Sequence, residues 1–434
     1  PEESATFYKL RYLDEPDIAW IDDIKAEVYY MEVDHVMDNF SLREPPVMMG
    51  MPMLRKTDTT SDTTGGRLVL TSTMQNTSVI YGIDLQRNVR NATLFNMNMT
   101  PPAEISYLWP DATIQQFGIF AEATTQFDDR RRLVYGLRVD QVNASADKAD
   151  AETTPFPMMP SFVYTANDAY SYYYGTTAED QKETNVGGLL RYEIDLDRGL
   201  TLFTGLSRTV RTADATERYM NKWSPNPADR WIGNPDIEPE KHHQFDVGLA
   251  QSTGIYSFNA TLFYDDVSDY ILRDYAPDQA QIYRNVDAEL YGLEFEGTLM
   301  LRPDLQLTAA LAYVHATNTT DDRPIAQTPP LGGKVQLDYF SGRWTHGARV
   351  RFADSQDRVD PDSPLYIGES AGWGVFDLYG SYAFNETFSL RWGIDNLFDK
   401  TYAEHASRSN LLDLEAIRVN EPGRVAWLKL TAEF

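Results

Sequence analysis

The chain has 434 residues, no cysteine and a formal net charge of −27. The lack of cysteine excludes disulfides and thiolate metal ligands within the chain, and the acidic charge argues against nucleic acid as a partner, because phosphate binding requires a basic surface. No run of about 18 apolar residues occurs, so the sequence predicts no membrane-spanning helix.

From the N-terminus onward, about seventeen segments of roughly 10 to 14 residues alternate apolar and polar side chains, a pattern typical of membrane-spanning strands. Residues 24–37, 256–264 and 376–384 are examples from the beginning, middle and end of the chain. Successive side chains of a strand point to opposite faces, so each segment has one apolar and one polar face. A soluble β-sandwich also alternates, but the strand number and the aromatic strand ends favour an all-β fold, a transmembrane antiparallel β-barrel.

The connections between these segments are alternately short and long. Tight turns are predicted at 15–17, 75–77, 128–131, 197–199, 252–254, 302–304, 341–343 and 385–387. Long connections are predicted near 38–55, 91–110, 143–181, 212–240, 318–328, 354–372 and 399–422. Outer-membrane barrels place tight turns in the periplasm, so the long connections are predicted to be extracellular.

This orientation makes the first strand, residues 5–13, run downward from the extracellular side. A complete single-chain barrel has an even number of strands and both ends in the periplasm. We therefore expect an odd number of further strands, and whatever lies ahead of them, to precede Pro1.

The second strand carries a candidate metal-binding pair. Ile24, Ala26 and Val28 share the lipid-facing parity, which directs His35 and Met37 toward the lumen if no bulge intervenes. An imidazole and a thioether two residues apart could form half of a copper site, since thioethers suit Cu(I). The alternative is that both are ordinary residues at the edge of a loop.

Methionine is concentrated in the predicted extracellular connections, although it usually fills apolar cores. These residues are either secondary capture sites for the metal or apolar anchors that hold long loops against one another. The candidate capture residues are Met48, Met49, Met51, Met53, Met97, Met99, Met158 and Met159.

Other functions remain open at this point. A siderophore or another organic ligand would suit the tyrosine-rich connection, whose members are Tyr164, Tyr170, Tyr172, Tyr173 and Tyr174. A passive porin would share the strand pattern. No nucleophile is grouped with a histidine and a carboxylate as a hydrolase requires, so we do not expect an enzyme.

Three segments followed by Phe434 look like the barrel signatures of TonB-dependent outer-membrane receptors. They are residues 233–241 (GNPDIEPEK), 291–297 (YGLEFEG) and 396–402 (NLFDKTY). The resemblance implies a 22-stranded barrel filled by an N-terminal plug, set among outer-membrane lipid and lipopolysaccharide and energised by the TonB complex. Residues 1–434 would then be the C-terminal part of the barrel, without the plug and the first strands. These signatures speak against a passive porin.

Residues 34–43 (DHVMDNFSLR) resemble the corresponding stretch of the OprC/NosA-type copper receptors. In that subfamily a His-x-Met pair of the barrel completes a copper site with a cysteine and a methionine of the plug. The resemblance implies that His35 and Met37 are the barrel ligands of a high-affinity copper receptor. With these two ligands alone, the isolated chain is expected to bind copper poorly.

Overall fold

The computed structural model describes residues 2–18, 20–48, 50–155, 164–252, 254–407 and 417–433, which are almost entirely antiparallel β-structure. The strands are β1 (Glu2–Asp14), β2 (Asp23–Asp38), β3 (Val47–Met48), β4 (Met51–Pro52), β5 (Arg55–Met74), β6 (Thr77–Asn96), β7 (Ala103–Asp128), β8 (Arg131–Ala146), β9 (Gln181–Asp195), β10 (Leu200–Arg211), β11 (Asn221–Lys222), β12 (Trp231–Ile232), β13 (Glu240–Gln251), β14 (Tyr256–Tyr275), β15 (Gln281–Arg302), β16 (Leu305–Asn318), β17 (Arg323–Pro324), β18 (Gly332–Ser341), β19 (Trp344–Ala353), β20 (Trp373–Ala383), β21 (Phe388–Asp395) and β22 (Val425–Ala432). The α-helices are α1 (Ala166–Tyr174) and α2 (Ala215–Tyr219), and 3₁₀ turns occur at Asp197–Gly199 and Pro227–Asp229.

Five of the 22 strands in the described ranges have two residues and lie inside connections; the other seventeen are the long strands. Each long strand pairs with the next long strand along the chain in one antiparallel sheet. The predicted fold class and strand number are confirmed. Among the described residues no pairing joins β1 to β22, so the described sheet has two edges. No helix in the described ranges is long and apolar enough to cross a membrane.

All eight predicted tight turns lie between consecutive long strands. One prediction was wrong: residues 91–110 are mostly strand, because β6 and β7 stay paired as far as Asn96 and Ala103. The register shifts three times between Arg90 and Phe95 of β6, and the extra residues lie on β7 between Glu104 and Ala112. Bulges of this kind accommodate a proline such as Pro110, which cannot donate a ladder hydrogen bond. Several strands therefore exceed the predicted length, and β7 reaches 26 residues.

The outer face of the sheet carries two aromatic belts. Near one end, Tyr291 stacks on His315 with ring centroids 4.6 Å apart. Near the other end, the rings of Trp344 and Tyr382 pack with their centroids 4.4 Å apart. This contact lies close to the strand end where Leu305 pairs with Tyr339. His315 and Leu305 are ten residues apart on β16, or about 33 Å along the strand. In a tilted strand this separation matches the apolar band of about 25 Å that outer-membrane barrels present to lipid.

The opposite face is polar and lines the lumen. Arg138 on β8 reaches Asp84 on β6 at 2.7 Å and also binds Asp140 on its own strand. Across the sheet, Arg349 donates to Asp377 at 2.9 Å. The first of these ion pairs reaches across β7 and the second joins adjacent strands. All of these side chains lie on one face, which agrees with the predicted alternation of apolar and polar faces.

The described parts of two long connections fold inward as a cap that contains α1 and α2. The cap packs on Ala112 of β7 and Ala144 of β8, whose side chains both point to the lumenal face of the sheet. Inside it, the hydroxyl of Tyr170 donates to the main-chain oxygen of Tyr219 at 2.7 Å, and both side chains are fully buried. The cap therefore occupies part of the barrel mouth.

Candidate metal-binding site at the outer rim

His35 and Met37 lie on the lumenal face of β2. The register of β2 with β1 and β5 runs without a shift across the whole of Asp23–Asp38, so no bulge alters the alternation. The side chain of Glu27 points to the same face as His35 and Met37, and its carboxylate forms an ion pair of 2.7 Å with Nζ of Lys9 on the inner wall. Tyr29 and Met31, also of this parity, line a lumenal cavity of about 390 Å³. The pair therefore points into the barrel mouth, as the alternation predicted.

The strand geometry allows both side chains to reach one ion. Residues two apart on a strand are separated by about 7 Å along it, with their side chains on one face. His35 lies opposite Glu3 on one side and Thr59 on the other, and Met37 lies opposite Thr57. Met37 keeps 44% of its surface exposed and His35 is half-buried, so both side chains can be approached from the lumen.

The end of β2 is fixed just beyond this pair. Asn39 is 4% exposed, and its amide oxygen accepts the main-chain N–H of Arg55 at 2.8 Å. Its amide nitrogen donates to the main-chain oxygen of Met53 at 2.9 Å. Asp38 accepts the N–H groups of Phe40 and Ser41 at 2.9 and 2.6 Å, which closes the turn after the strand. The methionine-bearing connection is therefore tied to the strand that carries His35 and Met37.

The two methionine-rich connections that the sequence singled out lie side by side. The N–H of Met97 donates to the oxygen of Leu54 at 3.0 Å. In return, the side chain of Asn98 accepts the N–H of Leu54 and donates to the oxygen of Pro52, each at 2.9 Å. Met53 therefore lies next to Met97 in a hydrogen-bonded frame at the rim.

The predicted capture residues differ in their surroundings. Met51 is 67% exposed, whereas Met53, Met97 and Met99 are partly buried. Met48 pairs with Met51 through the main chain of the β3–β4 hairpin. Met49, Met158 and Met159 lie outside the described residues. The structure thus brings four of these thioethers into the two adjoining connections above His35 and Met37.

The other five histidines lie away from the rim pair. His242 faces the lumen with Nδ1 2.7 Å from Asp265, while its neighbour His243 is exposed on the outer face. His315 and His346 stack on aromatic rings of the outer belts. His405 is buried in the outer loops, with Nδ1 2.9 Å from the hydroxyl of Ser370.

The donor set at the rim is therefore one imidazole with nearby thioethers. In the described ranges, no group of three or more histidine, aspartate or glutamate side chains is arranged to hold a metal ion. Soft donors of this kind suit Cu(I), whereas Ca²⁺ and Mg²⁺ require an oxygen-rich set.

The tyrosine-rich connection is built into the cap. Tyr164 stacks on Trp223 at 3.9 Å, and the hydroxyl of Tyr174 donates to the main-chain oxygen of Ile232 at 3.0 Å. Tyr173 donates to Asp278, and burial raises the pKa of Tyr173 to about 12. Tyr170 is fully buried, which leaves Tyr172 as the exposed member of the five, at 68%. These rings hold the cap together, a role that the sequence alone did not indicate.

Comparison with known proteins agrees with this architecture. Residues 2–397 match the family model described as "TonB dependent receptor-like, beta-barrel". The solved structure of the copper transporter OprC aligns with a TM-score of 0.85 and 30% sequence identity, covering 99% of this chain and 66% of that protein.

Two iron-complex receptors share the fold at lower identity. The ferric-catecholate import receptor Fiu of K12 E. coli aligns with a TM-score of 0.72 and 15% identity, covering 100% of this chain and 64% of that one. The ferric yersiniabactin uptake receptor FyuA of Yersinia pestis aligns with a TM-score of 0.70 and 13% sequence identity, and the alignment covers 100% of this chain and 61% of that one. The chain thus spans slightly less than two thirds of the length of the structures it matches. The family match, the antiparallel barrel strands and the lumenal polar wall lead to one conclusion: this chain belongs to the TonB-dependent receptor family, in its β-barrel region.

Proposed function

We propose that this chain forms the barrel wall of an outer-membrane receptor that binds and imports copper. The observation that carries the proposal is the placement of His35 and Met37 together on the lumenal face of β2, at its outer end. A cation that enters from outside would meet these two side chains at the barrel mouth. Copper is the cargo in this scheme, bound as Cu(I) by soft donors.

The surrounding thioethers fit a capture role. Met51, Met53, Met97 and Met99 lie in the two connections tied to the end of β2, outside the His35 and Met37 pair. Several weak thioether sites raise the local concentration of a soft ion without retaining it permanently. Two protein ligands hold Cu(I) only weakly, so the remaining ligands must come from outside this chain, for which a plug domain is the natural source.

The similarity to known proteins favours copper over an iron complex. The match to the copper transporter OprC has 30% identity over 99% of this chain, against 15% and 13% for the two iron-complex receptors. The tyrosines that could have bound an organic ligand are largely engaged in the cap. Import through the barrel would depend on the TonB complex, as membership of the family implies.

Copper titration of the receptor purified from its outer membrane tests the proposal. We expect stoichiometric copper by elemental analysis, with affinity for Cu(I) measured by competition against a chelator of known strength. The double variant His35→Ala, Met37→Ala should lose this copper. The control His346→Ala, Met74→Ala removes the same residue types from the outer belt and from a tight turn, and it should keep the copper.

Equal copper binding by the two double variants would contradict the assignment. Copper-free wild-type protein that instead binds a ferric siderophore would establish the alternative, a receptor for an organic iron complex.

A further inference from the structure

The side-chain hydroxyl of Thr59 on β5 is buried without a hydrogen-bond partner. Its Oγ1 atom is shielded from solvent, and no group in the described part of the chain bonds to it. Burial of a hydroxyl without a hydrogen bond is unfavourable, and buried polar groups in folded proteins nearly always have a partner. Thr59 therefore holds an unused hydrogen-bonding group in a covered position.

Thr59 is the direct cross-strand partner of His35. The two residues lie opposite each other in the antiparallel pairing of β2 with β5, so both side chains are on the lumenal face. Residues in this relationship have their Cβ atoms about 4.5–5.5 Å apart. An imidazole ring can span that separation, and a rotation of the His35 side chain brings one of its nitrogens to Oγ1 of Thr59.

The neighbours on the other side of Thr59 do not compete for this bond. Thr59 pairs there with Ala92 of β6, whose methyl group is 3% exposed and offers no polar atom. The cationic Arg90, diagonally across, is held elsewhere: its Nε donates to Asn88 at 2.9 Å, and its guanidinium lies 5.5 Å from the centre of the Trp109 ring. Because this chain already covers Oγ1, a residue added from outside the wall would not reach it.

A histidine that binds copper needs such an acceptor. The neutral imidazole carries a lone pair on one nitrogen and a proton on the other, so the nitrogen that binds the metal leaves an N–H to be satisfied. In most metal sites that N–H donates to an oxygen of the protein, which fixes the tautomer and the ring orientation. Glu3 on β1 also flanks His35, but it is exposed, whereas the hydroxyl of Thr59 is covered.

We infer that Thr59 is a positioning residue of the copper site, whose hydroxyl accepts the N–H of His35 while the other ring nitrogen binds Cu(I). This inference rests on the proposed copper function and deepens it. The bond selects one tautomer of His35 and fixes the ring, and it gives the Thr59 hydroxyl the partner that it otherwise lacks.

The strand itself provides a matched control. Thr57 lies two residues from Thr59 on the same face and is the cross-strand partner of Met37. A thioether has no N–H to donate, so Met37 does not require an acceptor at this position. The hydroxyl of Thr57 should therefore be dispensable for copper binding.

Three substitutions in the full receptor, purified from its outer membrane, separate the hydroxyl from the shape of the side chain. Thr59→Val keeps the β-branched shape without the hydroxyl and should weaken the affinity for Cu(I) about tenfold in competition with a chelator. Thr59→Ser keeps the hydroxyl and should retain the affinity of the wild type. Thr57→Val should also bind copper as the wild type does.

Thermal unfolding of the copper-free receptor distinguishes positioning from a structural role. Because valine replaces a buried hydroxyl that has no partner, copper-free Thr59→Val should be at least as stable as the wild type. Lower stability of copper-free Thr59→Val, together with a loss of affinity that serine does not rescue, would make Thr59 a part of the fold rather than of the site.

A crystal structure of the copper-loaded receptor locates the bond directly. The ring nitrogen of His35 that is not bound to copper should lie within hydrogen-bond distance of Oγ1 of Thr59. Copper on His35 with that nitrogen bonded elsewhere, or a loss of affinity in Glu3→Gln but not in Thr59→Val, overturns the role of Thr59 and leaves the copper function intact. Wild-type receptor that binds no copper overturns both.

Discussion

The side-chain amide of Asn39 donates a hydrogen bond of 2.9 Å to the main-chain oxygen of Met53. This bond joins the end of β2, two residues beyond Met37, to the connection that carries the outer methionines. One buried asparagine therefore helps to fix the position of Met53 relative to His35 and Met37.

Asn39→Ala should weaken copper capture without removing any metal ligand. The substitution leaves the N–H of Arg55 and the oxygen of Met53 without their partner, at a local cost of about 1–3 kcal/mol. We expect faster amide hydrogen exchange across residues 47–55 and weaker Cu(I) binding. Asn76→Ala breaks a similar amide-to-carbonyl bond at a tight turn, 2.7 Å to the oxygen of Gln126, and should leave copper binding unchanged. Equal effects of the two substitutions would refute a specific role for Asn39.

Tyr170→Phe should destabilise the cap and leave copper affinity unaltered. The lost hydroxyl donates to the oxygen of Tyr219 inside a fully buried cluster, and an unsatisfied buried acceptor costs about 1–3 kcal/mol. Hydrogen exchange over residues 164–180 measures the effect. Tyr172→Phe changes an exposed ring and should be neutral. Loss of binding of an organic ligand in either variant would show that these tyrosines recognise cargo after all.

The buried pair Arg218 and Glu183 should anchor the α2 segment. Arg218 is 1% exposed, contacts Glu183 and donates to the oxygen of Pro235 at 2.9 Å. Arg218→Met leaves a buried carboxylate without its cation, and breaking such a pair costs about 3–5 kcal/mol. We expect residues 212–239 to become sensitive to protease in the folded receptor.

A second substitution checks the electrostatic origin of that effect. Glu183→Gln, added to Arg218→Met, removes the uncompensated charge and should restore part of the protease resistance. Additive damage in the double variant would mean that packing, rather than charge, holds this segment.

The contact between His405 and Ser370 should make two outer loops sensitive to pH. Burial lowers the pKa of His405 below its ordinary value, so the folded protein favours the neutral ring. As the pH falls below the ordinary value of about 6.5, the unfolded loop takes up the proton before the folded one does, and stability decreases. Hydrogen exchange of residues 359–370 should therefore be faster at acidic than at neutral pH. His405→Gln should abolish this difference, and its persistence in that variant would assign the pH dependence to another group.

The sequence predicted the strands, the tight turns and the lumenal direction of His35 because all three depend on alternation between near neighbours. It placed residues 91–110 in a loop, whereas bulged pairing with β6 continues β7 through most of this stretch, as far as Ala103. The capping boxes at Thr165 and Asp214 were a readable signal for α1 and α2 that local alternation did not provide.

The rest of the site depends on contacts between distant residues. The pairing of Tyr170 with Tyr219, and of Leu54 with Met97, joins segments that are 49 and 43 residues apart and is set by how the loops fold. No local pattern encodes such contacts. The roles of His35 and Met37 as metal ligands remain predictions.

Copper K-edge X-ray absorption of the full receptor, loaded with one equivalent of Cu(I), tests the central claim most directly. We predict a first shell with both nitrogen and sulfur scatterers, from which His35→Ala removes the nitrogen and Met37→Leu removes one sulfur. A first shell of oxygen donors, or a spectrum that neither substitution changes, would contradict the assignment of this pair as copper ligands.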